Sequence, residues 1–559
     1  AYDSYYYSRK KYSKTFPYYL ARRDAEDPDY IYLIPQSEES IWSVSTGWDK
    51  NRKVYMEFGI DYNRTFGLHK TTALILYNQS KYYSPSLQYY VPNAYQGLVG
   101  RLTYEYASRY LAEFNMGYNG TENFAKGKRF GFFPAVSLGW VISEEKFFPK
   151  NNIVKYLKVR GSYGEVGNDQ IGGDRFLYLP SSYGAASDSG VNKYNFGLAS
   201  NPYTSLMIVE NKIGNPDLTW EKAKKMNVGV DINLFNNCLT ASFDIFKEKR
   251  NNILANRSTS PMIIGANLPA YNFGEMENRG WEMDLNFRHH IQDFHYWARF
   301  NYSFARNEII YMDEVQKRYD YQMTTGRRKN QFFGLIFDGY YNSWEEINAL
   351  DRPKSSWSGN QLQPGDVKYV DVNRDGVIDD YDMVPIGYTP VPEIIYGFSF
   401  GAQYKGFDFS ILFQGADNVS IKYFGRSMWP FAKGEESAKS LIKERWTQER
   451  YEAGEKITFP RLSLNPNGET DHNYRPSTLW IRDASYLRLK NLEVGYTFTG
   501  GFVKRLNLNS VRLYFNGSNL FTWTDVVDLD PEAPSRSGNV EINTYPLQKV
   551  YNIGLNINF

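Results

Sequence analysis

Apolar and polar residues alternate with a period of two along much of this chain, the pattern of strands with one dry face, whereas helical spacing is scarce. In "NVGVDINLF" the residues Val228, Val230, Ile232 and Leu234 share one face, and Gly229, Asp231 and Asn233 share the other. The next run sets Leu239, Ala241, Phe243 and Ile245 against Thr240, Ser242 and Asp244. Trp281, Met283, Leu285 and Phe287 alternate with Glu282, Asp284, Asn286 and Arg288, and Phe407, Phe409, Ile411 and Phe413 with Asp408, Ser410 and Gln414. The last run, "YNIGLNINF", places Tyr551, Ile553, Leu555, Ile557 and Phe559 opposite Asn552, Gly554, Asn556 and Asn558. Each predicted strand has one apolar, aromatic face and one face of polar, charged or glycine positions.

These runs are longer than the roughly five or six residues usual in a soluble sheet. They suit the roughly nine to eleven residues with which a tilted strand crosses a bilayer, apolar side chains toward lipid and polar ones toward a wet lumen. The connections are sorted as well. Asn236–Asn237, Gln292–Asp293, Lys405–Gly406 and Ala107–Arg109 are very short links, while those at 166–222, 309–393 and 418–483 are long and rich in Gly, Pro, Asn, Asp and Ser. Short alternating with long is the asymmetry of an outer-membrane barrel with periplasmic turns and extracellular loops. The expected fold is all-β: a transmembrane antiparallel β-barrel over residues 40–559 with about sixteen readable strands, its last strand ending on the short-turn side. Residues 1–39 are expected to form a Tyr-rich extracellular loop segment.

Composition fits this reading. Aromatic residues make up 17% of the 559 residues (48 Tyr, 36 Phe, 12 Trp), far more than a globular core needs. Girdles at both membrane interfaces and a lipid-facing band account for them. Mean hydropathy is −0.56, as expected when every second strand residue faces water. There is no run of about eighteen apolar residues to make a transmembrane helix. A formal net charge of +2 suggests neither nucleic acid nor an acidic partner. The single Cys238 excludes an internal disulfide framework. Ala1 opens a segment rich in Tyr, Arg and Lys without the apolar stretch of a signal peptide, so the chain is expected to be processed or to begin within something longer.

One stretch breaks the strand pattern. Ca²⁺ takes roughly six to eight oxygens, which a loop of about twelve residues supplies from alternate positions and its last residue. In "DVNRDGVIDDYD" these are Asp371, Asn373, Asp375, the Val377 carbonyl, Asp379 and Asp382, with Gly376 at the sharp turn and Ile378 as apolar anchor. An EF-hand closes with a bidentate Glu, whereas Asp382 is shorter and nearer to the dockerin kind of loop. The flanks "GDVKYV" and "MVPIGYTP" also read as strand and turn, not as two helices. Two readings stand: a calcium site that staples a long extracellular loop, or an Asp/Asn/Gly-rich turn that needs no ion.

Several strings resemble the SusC/RagA family of TonB-dependent outer-membrane transporters. They include "YNRTFGLHKTTALILY", "YLKVRGSYGEVGNDQI", "LTWEKAKKMNVGVDINLFNNCLTASFDIF", "NFGEMENRGWEMDLNF", "DVNRDGVIDDYDMVPIG", "SYLRLKNLEVGYTF" and "VRLYFNGSNLFTWTD", in that order from about residue 40 to the end. The resemblance implies energised import of large nutrients, oligosaccharides or oligopeptides, beneath a surface lipoprotein of the SusD type. It also implies coupling to the TonB complex through an N-terminal plug. Barrels of this class have about 22 strands, so the chain looks like the C-terminal part of the pattern. No plug or TonB-contacting box is readable, and the N-terminal region is expected on the same polypeptide. The terminal Phe559 fits an assembly signal read by the barrel-assembly machinery, or simply a lipid-facing residue.

Rival readings are a passive porin-like or adhesin barrel and a secreted all-β glycan-active enzyme. No nucleophile motif, phosphate-cradling loop or acid/base arrangement is present. Of His69, His289, His290, His295 and His472, the middle three flank the short turn at Gln292–Asp293 and are expected at the periplasmic rim, without a catalytic or zinc role. The basic runs at Arg9–Lys11 and Arg327–Arg328 read as solvated loop charges. Trp357, Trp429 and Trp446 are expected to pack their own loops rather than to stack on sugars.

Overall fold

The computed structural model describes residues 2–13, 19–23, 31–35, 43–170, 175–185, 193–197, 203–206, 208–259, 268–357, 362–423, 429–431, 440–463, 471–527, 529–532, 539–540 and 547–559. Sixteen strands form one antiparallel sheet in chain order. They are β1 (Tyr2–Ser13), β2 (Ser43–Phe66), β3 (His69–Tyr83), β4 (Asn93–Tyr106), β5 (Tyr110–Thr121), β6 (Phe130–Val141), β7 (Val154–Asn168) and β8 (Glu221–Leu234). Then come β9 (Leu239–Ala255), β10 (Tyr271–Ile291), β11 (Phe294–Tyr311), β12 (Ile394–Tyr404), β13 (Phe407–Asp417), β14 (Tyr486–Phe498), β15 (Ser510–Thr524) and β16 (Val550–Asn558). Each pairs with its neighbours in sequence, so the sheet is a continuous meander.

The expected alternation is seen as a difference in surroundings. Val228 and Ile245 are cross-strand partners and both lie exposed on the outer face, as do Phe58, Ile60, Leu138, Phe243, Ile553 and Leu555. A soluble sheet would not display so many apolar side chains, whereas a lipid-facing band must. No helix among the described residues is long and apolar enough to cross a membrane; the strands do the crossing. The turns are tight where expected: Ala107 and Ser108, Asn236 and Asn237, Gln292, and Lys405 with Gly406 all have positive φ.

One expectation is corrected. Within 1–39, Tyr2–Ser13 is not loop but the first strand, in register with β2 from Tyr2 opposite Val54 to Ser13 opposite Ser43. Tyr19–Arg23 and Ile31–Pro35 form a second hairpin, and the rest of that segment lies outside the described residues. The consecutive tyrosines at 5–7 and the bases at 9–11 hid the period of two. Along the described chain β1 pairs only with the 43–54 half of β2, so on that side the half from Tyr55 to Phe66 has no described neighbour.

The largest buried core lies in the loops, not in the sheet. Leu335, Tyr340, Val367, Tyr369 and Ile378 from the β11–β12 connection pack with Val419, Ile421, Tyr423, Trp446, Phe459, Tyr474, Leu479 and Trp480 from the β13–β14 connection, joined by Val526 beyond β15. Backbone pairing knits these loops together. Leu335 donates to the Pro476 carbonyl (2.9 Å) and Thr478 to that of Leu335 (3.0 Å). Ser420–Tyr423 pairs with Ile481–Asp483 and with Asn539–Val540.

Candidate functional site

Two regions carry the chemistry: the polar inner face of the sheet, and the loop body at its mouth.

On the inner face, Arg160 of β7 donates to Asp231 of β8 (Nε to Oδ2, 3.1 Å) and bidentately to Asp244 of β9 (2.7 and 2.6 Å). Gly229 stands directly opposite both Arg160 and Asp244, and an ideal Cβ there would lie 2.7 Å from the guanidinium carbon. Glycine on this face is therefore a gap through which an arginine spans three strands. The motif recurs at the far side of the sheet. Arg512 of β15 binds Asp408 of β13 (Nε to Oδ1, 3.0 Å) and Glu493 of β14 (2.6 Å), crossing Gly495. Arg101 and Glu113 make a third pair at 3.0 Å. The result is a wet wall of fixed, bidentate charges.

The connection from β15 to β16 is tied to the same face. Glu532 accepts from Arg488 Nη1 (2.7 Å), Lys490 (3.2 Å), the Tyr486 hydroxyl (2.7 Å) and Gln414 (3.1 Å), while Asp530 accepts from Arg488 Nη2 (2.6 Å). Arg488 is 2% exposed.

In the loop body, polar side chains cross between the two long connections. Val367 N–H donates to Asn473 Oδ1 (2.9 Å), and Asn473 Nδ2 to Asp366 (2.8 Å), which also pairs with Arg461 at 2.6 Å. His472 is buried, with Nε2 2.7 Å from the Val367 carbonyl and Nδ1 3.0 Å from the Ser355 hydroxyl. Burial holds its imidazole below the usual histidine range. Trp446 is buried in the core, while Trp357 and Trp429 pack against it, with the Arg475 guanidinium 4.1 Å from the Trp357 ring centroid. The tryptophans thus pack their loops, as expected. Arg328, expected to be solvated, instead pairs with buried Glu393, which Arg306 also binds at 2.8 Å.

The calcium-like loop closes on itself. Asp371 accepts from the Arg374 and Gly376 amides, Asn373 from Asp375, Asp375 from Val377, and Asp379 from Tyr381. Asp382, fully buried, accepts from Val372 (2.8 Å), Asn373 (3.4 Å) and Asp379 (2.9 Å). Gly376 makes the expected turn with φ +84°, and Ile378 anchors in the core. The donor types suit calcium. Their oxygens, however, are held by backbone amides, and among the described residues no group of three or more His, Cys, Asp or Glu gathers to hold a metal. The loop thus holds its turn through its own hydrogen bonds. His290 and His295 face each other at the short turn, ring centroids 5.5 Å apart.

Sequence reading missed the Arg160–Asp244 and Arg512–Asp408 pairs. A glycine flanked by acidic and basic residues at the same strand level was the available signal, but it requires the register.

The family described as TonB dependent receptor-like, beta-barrel, matches residues 1–520. TonB-dependent receptor P3 of Formosa agariphila is 28% identical over 479 residues, covering 82% of this chain and 45% of that protein. TonB-dependent receptor SusC of Bacteroides thetaiotaomicron is 28% identical over 477 residues, covering 84% of this chain and 44% of that protein. The solved structure of the RagAB peptide transporter shares the fold, with a TM-score of 0.72 at 20% identity over 100% of this chain and 59% of that one. This chain spans about half the length of the curated relatives it matches. Those relatives are receptors rather than enzymes, and the glycan-active enzyme reading falls. The chain belongs to the TonB-dependent receptor-like β-barrel family of the outer membrane.

Proposed function

We propose that this chain is the translocation barrel of a SusC/RagA-type importer, taking large nutrients, oligosaccharides or oligopeptides, across the outer membrane. The observation that carries the reading is the sorting of the connections: tight turns at one rim, and at the other long loops fused into a body with its own core. A passive pore needs no such body, whereas a partner closing over the mouth needs a firm surface to close on. The partner in this reading is a SusD-like surface lipoprotein, in keeping with the likeness to SusC and to the RagAB peptide transporter.

Drive from the TonB complex would enter through a plug contributed by further N-terminal sequence. The share of the relatives covered supports such a segment, which would also bring the wall toward about 22 strands. The charged inner wall is then the surface against which the plug rests. The test is gentle detergent extraction of the protein from its native membrane, followed by mass spectrometry of what accompanies it. A stoichiometric lipoprotein and plug peptides are expected. The chain emerging alone would replace the importer with an open porin-like barrel.

A further inference from the structure

The turn-side rim carries a cavity beside the lipid-facing side of the sheet. It lies between Lys405–Gly406 and the β14–β15 connection, has a volume of about 880 Å³, and is lined by Tyr496, Phe498, Phe502, Val503 and Val511 beside Lys405. Tyr496 and Phe498 belong to the lipid-facing side of β14, opposite Phe407 and Val511. Gly501, with φ +38°, turns the chain into a one-turn helix, Phe502–Arg505, which buries Val503 and leaves Phe502 74% exposed with Lys504 and Arg505 beside it. The Lys405 ammonium lies 5.3 Å from the ring centroid of Tyr404, an exposed aromatic, which sets it on the lipid side.

Lys405 therefore lines an aromatic cavity, and two further exposed cations, Lys504 and Arg505, follow directly on its lining residues Phe502 and Val503. Among the described residues no ion pair engages them: residues 495–512 contain no Asp or Glu, Asp408 is held by Arg512 on the inner face, and Asp293, in the adjoining short turn, is the nearest carboxylate in register to Lys405.

We propose that this cavity binds an anionic phospholipid of the periplasmic leaflet, with an acyl chain along Tyr496, Phe498 and Phe502 and the phosphate among Lys405, Lys504 and Arg505. The inference rests on the barrel orientation given above. Apolar rings alone would hold any lipid, whereas the cations add a preference for negative headgroups of about fivefold for each basic side chain near the surface.

The test uses the full-length protein in detergent and native mass spectrometry with added phosphatidylglycerol or phosphatidylcholine of the same chain length. Wild type is expected to retain phosphatidylglycerol preferentially. The triple variant Lys405→Ala/Lys504→Ala/Arg505→Ala should retain it at least tenfold less, with phosphatidylcholine unchanged, and Phe502→Ala should lower both. Equal retention of the two lipids by wild type, or undiminished phosphatidylglycerol on the triple variant, would overturn the site. Lys504→Cys in a Cys238→Ser background checks the orientation separately: labelling of intact cells by an impermeant thiol reagent would overturn the orientation, and the leaflet assignment with it.

Discussion

Arg160 grips Asp244 from two strands away, Nη2 to Oδ2 at 2.6 Å, by passing over Gly229. The gap is tight on both sides, since a Cβ at 229 would stand 2.6 Å from Asp244 Oδ1 as well as 2.7 Å from the Arg160 guanidinium carbon. Glycine on the lumen side here exchanges local strand preference for a cross-sheet ion pair.

That exchange fixes the sign of a substitution. Replacing a strand glycine by alanine ordinarily stabilises by about 0.5–1 kcal/mol. Gly229→Ala should instead destabilise, because it displaces a bidentate pair. The midpoint of heat-induced loss of folded gel mobility is expected to fall by a few degrees. In an Arg160→Gln background the same change should be neutral or stabilising, since no guanidinium remains to be displaced. A Gly229→Ala protein as stable as wild type would show the pair to be slack.

How much of this was legible beforehand depends on distance along the chain. Strand identity is a local property, and Val228 to Leu234 or Tyr551 to Phe559 declare it by alternation alone. The loop boundaries at 309–393 and 418–483 were close to the observed 312–393 and 418–485 because lipid-facing patterning stops there. Tyr2–Ser13 was missed because three tyrosines in a row carry no period. The loop core and the Arg488 clamp join residues tens to more than a hundred positions apart, and nothing local marks Val367 as the partner of Asn473.

Asp382 tests the closed loop. Its carboxylate serves three amides, and leaving buried donors unpaired costs roughly 1–3 kcal/mol each. Asp382→Ala should make the 312–393 connection markedly more sensitive to protease. Wild type should resist equally in calcium and in EGTA. Sensitivity induced by EGTA would instead assign a calcium site to the loop.

His472 gives the loop body a pH dependence. Burial depresses its folded pKa, so at pH values below the unfolded value of about 6.5 the unfolded form takes up a proton that the folded form refuses. The stabilisation is complete above that value and is lost as pH falls through the folded one. Protease protection of the long loops should decline between pH 7 and pH 5. His472→Gln should be less protected at pH 7 but flatter with pH; an unchanged slope would assign the dependence elsewhere.

Phe559 lies 87% exposed beyond β16, on the lipid-facing side of the alternation. Its deletion is expected to lower the amount of barrel assembled in the membrane while the protein that does assemble keeps wild-type heat stability. Undiminished assembly would leave it only the lipid contact.

The Arg488 clamp offers the sharpest contrast of charge with shape. A guanidinium that is 2% exposed neutralises Asp530 and Glu532 together, and removing it strands two carboxylates, of which Lys490 reaches only one. Breaking a buried ion pair by deleting one partner costs about 3–5 kcal/mol, whereas replacing every charge by neutral groups of similar size is often tolerated. Arg488→Met should therefore free the β15–β16 connection, seen as new cleavage between 525 and 549. Adding Asp530→Asn and Glu532→Gln should restore much of the protection, because the amides no longer need a cation. Protection that stayed lost in the triple variant would mean that the hydrogen-bond geometry of Arg488, rather than its charge, holds the connection to the wall.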